Sequence, residues 1–286
     1  MGNRPIGFLI ALLVLPLTGS AQWLNYPAPR TPRGRNGKAN LSAPAPRSHG
    51  KPDLSGIWEA ESTPRNELAV MFPPGIGLLP GGVNGLGEDD PQKYFLNILA
   101  DFKPGQEPLT AAAAAKLQQM LQNPPKPVTL CRPAGGPVNE LIPAPYKIVQ
   151  TPGVTLILYE TDSVFRQIYT DGRKHPVDPQ PAWSGYSIAK WEGDDLVVDA
   201  RGFNDLSAFD AMGHFHSDRL HVTQRFHRRD FGHMEIEMTF EDPAVFTRPV
   251  TIKSKQVLMP DSDVMESFCA ESEHDLEHMR NIKPGN

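Results

Sequence analysis

The chain has 286 residues and a formal net charge of −5, with acidic and basic residues mixed along its length. Because it carries no block of Lys and Arg, its charge pattern argues against a nucleic acid as partner. A chain of this length holds one large domain or two small ones.

The N-terminus has the layout of a secretory signal peptide. Arg4 precedes an apolar run over residues 6–17, and small residues follow at 19–21. The run is too short to span a bilayer, and its layout predicts cleavage after Ala21. We therefore expect residues 1–21 to be removed and the mature protein to be exported, periplasmic or extracellular, with no membrane span.

The rest of the chain divides into a lead-in, one domain and a tail. Proline recurs through residues 22–52, which predicts an extended or disordered lead-in because this composition buries no core. We expect a single β domain over residues 53–272 and a C-terminal tail over 273–286. A helical insertion over 62–127 separates the first two strands of the domain.

Two helical pieces are predicted within the insertion. The first lies around residues 90–102, where apolar side chains recur. The second begins after Thr110, a suitable N-cap, continues through the run Ala111–Ala115 and ends before Asn123-Pro124-Pro125. An insertion of this length usually covers another element or serves function.

The domain itself reads as a succession of strands and tight turns. The predicted strands are 56–60, 146–150, 154–160, 164–170, 186–191, 195–200, 220–228, 233–241 and 250–259. Consecutive antiparallel strands form a meander, and closure into a barrel removes its exposed edges. We predict such a barrel, with a two-sheet β-sandwich as the alternative. The string Leu54-Ser-Gly56-Ile-Trp58 resembles the Gly-x-Trp signature of lipocalin-like (calycin) barrels and implies that fold.

Strand parity assigns the loops to the two ends of the predicted barrel. In an up-and-down meander, the two long loops at 171–185 and 201–219 share one end. That end is the candidate mouth, because function tends to lie on loops held by a rigid scaffold. Cys131 and Cys269 fall together at the other end, and two cysteines in an exported protein predict one disulfide.

Five of the nine histidines lie between residues 214 and 233. Histidine exchanges protons near neutral pH and is a common metal ligand. Alternation along the hairpin over residues 220–241 predicts one dry and one wet face. His227 and His233 then face outward as cross-strand neighbours, with Arg225 opposite Glu235. His221 also faces outward unless a bulge turns it in.

The candidate mouth collects the remaining chemistry. The predicted catalytic residues are the histidines His175, His214 and His216, as proton donors or acceptors, and the carboxylates Asp171, Asp205 and Asp218, which would orient them. The predicted substrate-binding residues are Arg173 for an anionic or carbonyl group, Trp183 for a ring or sugar face, and Asn204.

A metal interpretation is open beside the acid–base one. A His-x-His pair in extended backbone points both rings the same way. With His175 as third ligand, His214 and His216 would form an open site for a divalent metal such as zinc. In a third interpretation, these side chains only order the loops through hydrogen bonds.

Several strings spread over about residues 128–272 resemble a large set of uncharacterised exported bacterial proteins. They are Tyr146-Lys-Ile-Val-Gln-Thr-Pro-Gly, Thr170-Asp-Gly-Arg-Lys-His-Pro, Gly185-Tyr-Ser-Ile-Ala-Lys-Trp-Glu-Gly-Asp, Leu196-Val-Val-Asp, Gly202-Phe-Asn, His216-Ser-Asp and Leu220-His-Val-Thr. The resemblance implies export and one shared domain, and it implies no particular reaction.

The leading functional hypothesis is an exported enzyme, of lyase, isomerase or hydrolase type, that acts on a small or sugar-like substrate at the barrel mouth. It would use His/Asp acid–base or metal chemistry there. The second hypothesis is a lipocalin-like carrier whose interior holds an apolar ligand. The third is an envelope interaction protein without a small-molecule site.

Overall fold

The computed structural model describes residues 28–68, 91–122, 133 and 136–268. The predicted signal peptide, the predicted Cys131–Cys269 disulfide and the predicted tail at 273–286 lie outside the described residues. Among the residues described, no helix has the length and apolar character needed to cross a membrane.

Nine strands of the described chain form one closed barrel. Two short strands, β1 (Arg47–Ser48) and β2 (Lys51–Pro52), precede it. The barrel strands are β3 Gly56–Ala60, β4 Tyr146–Thr151, β5 Val154–Tyr159, β6 Phe165–Tyr169, β7 Tyr186–Glu192, β8 Asp195–Arg201, β9 His221–Arg228, β10 His233–Glu241 and β11 Val250–Leu258. Their order around the ring is β10-β11-β3-β4-β5-β6-β7-β8-β9. The predicted barrel is confirmed, and the sandwich alternative is wrong.

The barrel is mixed rather than wholly antiparallel. Eight neighbouring pairs are antiparallel, whereas β6 and β7 pair in parallel at positions 168 with 187 and 169 with 188. Strand direction cannot alternate all the way round a closed ring of nine strands, so one neighbouring pair must run the same way. The predicted antiparallel meander is therefore interrupted at this one parallel pair, which we call the seam.

The seam changes which connections share an end of the barrel. Two parallel strands need a connection that returns along the sheet, so residues 170–185 cross from the end of β6 to the start of β7. The loop end of the barrel then carries the β3–β4 insertion and the connections at 202–220 and 242–249. The opposite, narrow end carries the tight turns β4–β5, β7–β8 and β9–β10. The sequence predicts that the β7–β8 and β9–β10 turns lie at the same end as the β3–β4 insertion. This prediction is wrong, because the parallel pair reverses the end at which each later connection lies.

The insertion between β3 and β4 contains the described helices. They are α1 Arg65–Leu68, α2 Lys93–Leu96 and α3 Ala111–Gln122, followed by a 3-10 segment at Gly136–Leu141. The predicted cap of α3 is confirmed, because the Thr110 hydroxyl accepts a hydrogen bond from the Ala113 amide at 3.1 Å. The predicted helix around 90–102 is shorter than expected. Asn97 is extended and its side chain accepts from the Leu99 amide, which competes with helix formation.

Alternate side chains of the strands fill the barrel. The predicted dry face of the β9–β10 hairpin is confirmed, since Val222, Phe226 and Ile236 are buried. The register is two residues away from the prediction, because Arg225 pairs with Glu237 and His227 with Glu235. A shift of two residues keeps each side chain on its face. His227 and His233 therefore do point outward, although they are not direct neighbours.

A buried tryptophan and an arginine organise the narrow end. Trp58 is fully buried, and its indole nitrogen donates to the Leu54 carbonyl at 3.0 Å. The Arg228 guanidinium lies 4.8 Å from the centre of the Trp58 ring and donates to the carbonyls of Asp53 and Phe231. Burial lowers the pKa of Arg228 to about 10, so the group remains charged at neutral pH.

The sequence predicts an extended or disordered lead-in over residues 22–52. In the structure, residues 28–52 lie against the narrow end of the barrel. The Gly232 amide donates to the Leu41 carbonyl at 2.7 Å, and the Arg47 guanidinium binds the Asp194 carboxylate at 2.8 Å. The segment is ordered by these bonds to barrel turns, since its own composition supplies little core. Composition alone does not reveal such partners.

We predict that Arg228→Leu lowers the free energy of unfolding by about 2–4 kcal/mol, because two backbone carbonyls lose a buried donor. Arg229→Leu is the matched control, because the Arg229 side chain is 66% exposed and its loss should change stability by less than about 0.5 kcal/mol. Urea denaturation followed by tryptophan fluorescence measures both variants. Equal unfolding midpoints for the two would contradict the role assigned to Arg228.

Candidate functional site at the barrel seam

A cleft of about 400 Å³ opens where β6 and β7 diverge. The two strands pair at their 168–169 and 187–188 positions, and residues 165–167 and 184–186 flank the gap beyond the pairing. Four aromatic side chains contribute to the lining: Phe165, Tyr169, Trp183 and Tyr186. We call this opening the seam cleft.

The aromatic lining suits a flat ligand. The rings of Tyr169 and Tyr186 stack with their centres 5.2 Å apart, and the Phe165 side chain is 60% exposed. Trp183, which the sequence predicts to stack on a ring or sugar face, lies in the same lining. Aromatic faces of this kind bind the apolar faces of rings and leave polar groups free for other contacts.

Asp171 and Arg173 lie beside two of these rings. The Arg173 guanidinium is 3.7 Å from the centre of the Tyr169 ring, and its Nη1 donates to the Tyr186 hydroxyl at 3.3 Å. Its Nη2 donates to the Asp171 carboxylate at 2.6 Å, and these hydrogen bonds lower the pKa of Asp171. Both residues, predicted as site residues, therefore support the aromatic lining of the seam cleft.

His175 forms a pair with a carboxylate on the outer wall of the barrel. Its Nε2 lies 2.8 Å from Oδ1 of Asp199, and its ring meets the edge of Tyr186, with the ring centres 6.0 Å apart. Because a carboxylate accepts, Nε2 carries a proton in this hydrogen bond, and in the neutral ring the lone pair is then on Nδ1. Nδ1 is buried and has no hydrogen-bond partner. A histidine held by a carboxylate with its second nitrogen free has the form of a general base.

Asp199 also holds a second histidine. The His221 Nε2 donates to Asp199 at 3.1 Å, and its Nδ1 lies 2.8 Å from Oε2 of Glu241. The hydrogen bond to Asp199 raises the pKa of His221, although burial opposes it. Burial acts to raise the pKa of Asp199, but the hydrogen bonds from His221 and His175 outweigh it and hold that pKa well below its usual range. We call His175, Asp199, His221 and Glu241 the outer-wall cluster.

Sequence reasoning missed Asp199 and Glu241 as site residues. A signal for Asp199 was present, because alternation along Leu196-Val-Val-Asp199 places this side chain on the outer face beside β9. The crossing of residues 170–185 over that face was hidden, because it follows from the parallel seam.

His214 and His216 have separate partners within the 202–220 connection. The His214 Nδ1 lies 2.6 Å from Oδ2 of Asp210, and the His216 Nε2 lies 2.7 Å from Oγ of Ser207. Both histidines are buried. Burial lowers the pKa of His216, so its ring is neutral at pH 7.

The two predicted loops meet near Trp183. The Ala182 amide donates to the Gly202 carbonyl, and the Asn204 amide donates to the Ala182 carbonyl, both at 3.0 Å. Gly185 fits this contact because its φ is +60° and a Cβ there would lie 2.8 Å from the Arg201 carbonyl oxygen. Residues 182–185 of the first loop therefore line the seam cleft, and the second loop holds them from behind through these backbone bonds.

The other predicted residues of the 202–220 connection have local or solvent-facing positions. The Asn204 Oδ1 accepts from the Leu206 amide at 3.1 Å, whereas Asp205 and Asp218 are exposed. Besides Asp210, Asp242 holds this connection, because its carboxylate accepts from the Ser217 amide at 2.6 Å and from the Ser217 hydroxyl at 2.8 Å.

The predicted metal site receives no support from the geometry. Within the described part of the chain, no group of three or more His, Cys, Asp or Glu side chains is arranged to hold a metal ion. His175 is bonded to Asp199, while His214 and His216 are bonded to Asp210 and Ser207. The three-histidine zinc site stays a prediction.

Comparisons with protein-family models, with curated proteins and with solved structures each gave no match. The resemblances to exported bacterial proteins and to the calycin signature therefore stay predictions.

We predict that the outer-wall cluster makes stability depend on pH. Because the pKa of His221 is raised in the folded state from 6.5, its contribution is complete below that value and is lost as the pH rises through the raised pKa. His221→Gln should therefore flatten the decline in the free energy of unfolding above about pH 6.5. Urea denaturation at a series of pH values measures the slope.

Thr223→Val is the matched control, because Thr223 also faces outward on β9 and carries no titratable group. It should leave the pH slope unchanged. A slope that is the same in His221→Gln and in the unaltered protein would contradict the assigned protonation of His221.

Proposed function

We propose that this protein is an enzyme that transfers protons on a small ring-bearing molecule bound in the seam cleft, with His175 as the general base and acid. The observation that supports this most directly is the His175–Asp199 pair. The carboxylate fixes the tautomer through Nε2, and the unpartnered Nδ1 is left to accept a proton.

The proton transfer has a simple balance. Nδ1 of His175 takes a proton from a carbon or oxygen of the substrate, and the electron pair of that bond stays on the substrate. The imidazolium that forms is stabilised by Asp199, whose lowered pKa keeps it ionised so that the proton stays on His175. Return of the proton to another substrate atom completes an isomerisation, and its transfer to a leaving group completes an elimination.

The position of the cleft supports the same proposal. Tyr186 lines the cleft and also lies against the His175 ring. His175 lies behind this ring and outside the cleft lining, so the proposal requires Tyr186 to turn away from His175 when the substrate binds. Export of the protein is part of the proposal, and it is supported by the signal-peptide layout of residues 1–21.

A second candidate function is favoured by the Ser207–His216 pair. The neutral His216 donates through Nδ1 to the Ser217 carbonyl at 3.1 Å, so its Nε2 accepts from the Ser207 hydroxyl. A hydroxyl bonded to a neutral imidazole is the starting arrangement of a serine nucleophile, which would give a hydrolase. Ser207 is buried, so we rank this candidate second.

We predict that the protein catalyses exchange of the benzylic protons of phenylacetone in D2O and that His175→Gln slows this exchange by about 10²–10⁴-fold. Glutamine keeps a hydrogen bond to Asp199 but cannot accept the proton. Proton NMR measures the rate. His233→Gln is the control, because His233 bonds Asp230 at the narrow end and should keep the full rate. Equal rates for the unaltered protein and His175→Gln would overturn the proposal.

We predict that Trp183→Ala weakens the binding of benzyl alcohol to the seam cleft by about 2–10-fold, because the loss of one aromatic face removes its stacking contribution. Ligand-observed NMR measures the dissociation constant. Trp191→Ala is the matched control, because Trp191 lies on β7 outside the cleft lining. If Trp183→Ala and Trp191→Ala changed the dissociation constant of benzyl alcohol equally, the assignment of Trp183 to the binding surface would be contradicted.

A further inference from the structure

A buried arginine bridges the seam from inside the barrel. Arg166 lies on β6, is 2% exposed and also contributes to the lining of the seam cleft. Its Nε donates to the Ser187 hydroxyl on β7 at 3.0 Å. Arg166 therefore belongs both to the barrel interior and to the wall of the cleft.

Arg166 is the centre of a polar cluster in the apolar interior. Its Nη1 donates to Oε1 of Glu140 at 3.2 Å and to Oε1 of Gln224 at 2.6 Å. The same Glu140 oxygen accepts from the Tyr159 hydroxyl at 2.6 Å. All four side chains are buried. We call Arg166, Glu140, Gln224 and Tyr159 the interior polar cluster.

Several atoms of this cluster have no hydrogen-bond partner. They are Nη2 of Arg166, Nε2 of Gln224 and Oε2 of Glu140. A guanidinium only donates, so the amide oxygen of Gln224 must face Arg166, and the amide nitrogen is therefore the free group. Oε2 of Glu140 and Nε2 of Gln224 each share a carbon with the oxygen that accepts from Arg166 Nη1. Nη2 of Arg166 shares the guanidinium carbon with Nη1. The three free atoms thus belong to the three groups that meet at Nη1 of Arg166.

Buried polar atoms without partners are rare, and their concentration beside a cleft points to a ligand. Asn139, which precedes Glu140, is also buried and has both amide atoms unpartnered. Within the interior polar cluster, the free nitrogens of Arg166 and Gln224 are donors, whereas the one free oxygen belongs to Glu140. The site therefore favours a ligand group that only accepts hydrogen bonds.

We infer that the substrate of the seam cleft carries a carboxylate, which Arg166 and Gln224 bind from the barrel side while the aromatic lining holds the ring. A carboxylate offers acceptors only, and charge-assisted hydrogen bonds from a guanidinium are its strongest protein contacts. This inference rests on the proposed function for the position of the ring, and it adds the chemical class of the substrate.

The hydrogen bonds of Arg166 agree with this ligand class. Its Nη1 is bonded to Glu140 and Gln224, while its Nη2 remains a free donor. A carboxylate reaching Arg166 from the cleft would supply an acceptor for Nη2.

The test compares benzoate with benzyl alcohol, which share a ring and differ in the carboxylate. Ligand-observed NMR on the full chain should give a dissociation constant for benzoate at least about tenfold below that for benzyl alcohol. Gln224→Leu should weaken benzoate binding at least about tenfold and leave benzyl alcohol binding unchanged. Thr155→Val is the control, because Thr155 is a buried interior residue of β5 outside the cluster, and it should affect neither probe.

Arg166→Met combined with Glu140→Leu provides a second variant without a lone buried charge, and circular dichroism checks its fold. It should lose the preference for benzoate. Equal affinity for the two probes, or benzoate binding that is insensitive to Gln224→Leu, would overturn the carboxylate inference. If Trp183→Ala still weakened the binding of benzyl alcohol, the proposed function would stand. If neither benzoate nor benzyl alcohol bound the unaltered protein, both the carboxylate inference and the proposed function would be overturned.

Discussion

The parity of a closed ring is the constraint on which the rest of this structure depends. Nine strands cannot alternate in direction all the way round, so β6 and β7 run parallel. A parallel pair cannot be joined by a hairpin, and its connection must return along the barrel. That return brings His175 to the outer wall beside Asp199. The brief pairing of β6 with β7 leaves the cleft at the loop end of the same seam.

Charged groups collect on both sides of this seam. On the outside, Asp199 binds His175 from the crossing segment and His221 from β9, which fastens the segment to the wall. On the inside, Arg166 bonds Ser187 across the seam. Polar contacts thus replace part of the backbone pairing that a longer β6–β7 ladder would supply. Of these groups, Arg166 also contributes to the lining of the seam cleft.

Much of the barrel was predictable from short-range patterns. Apolar runs bounded by tight turns identified the barrel strands. Alternation identified the inner face of the β9–β10 hairpin and placed His227 on the outer face, because side-chain direction has a period of two residues. The hairpin register was wrong by two residues, since alternation is unchanged by such a shift. Trp183 and His175 were identified as site residues from their loop. Asp199 was missed because its partner reaches it only through the seam.

The amino-acid sequence by itself determined the strands, their buried faces, the cap at Thr110 and the set of chemical groups in the two long loops. These properties depend on neighbours within a few residues, which alternation and capping report directly. Only the tertiary structure decided the position of the parallel pair, the partners of His175, His214 and His216, and the approach of Arg166 to the cleft. These depend on how a ring of strands closes, and closure joins residues far apart in the chain whose proximity no local pattern encodes.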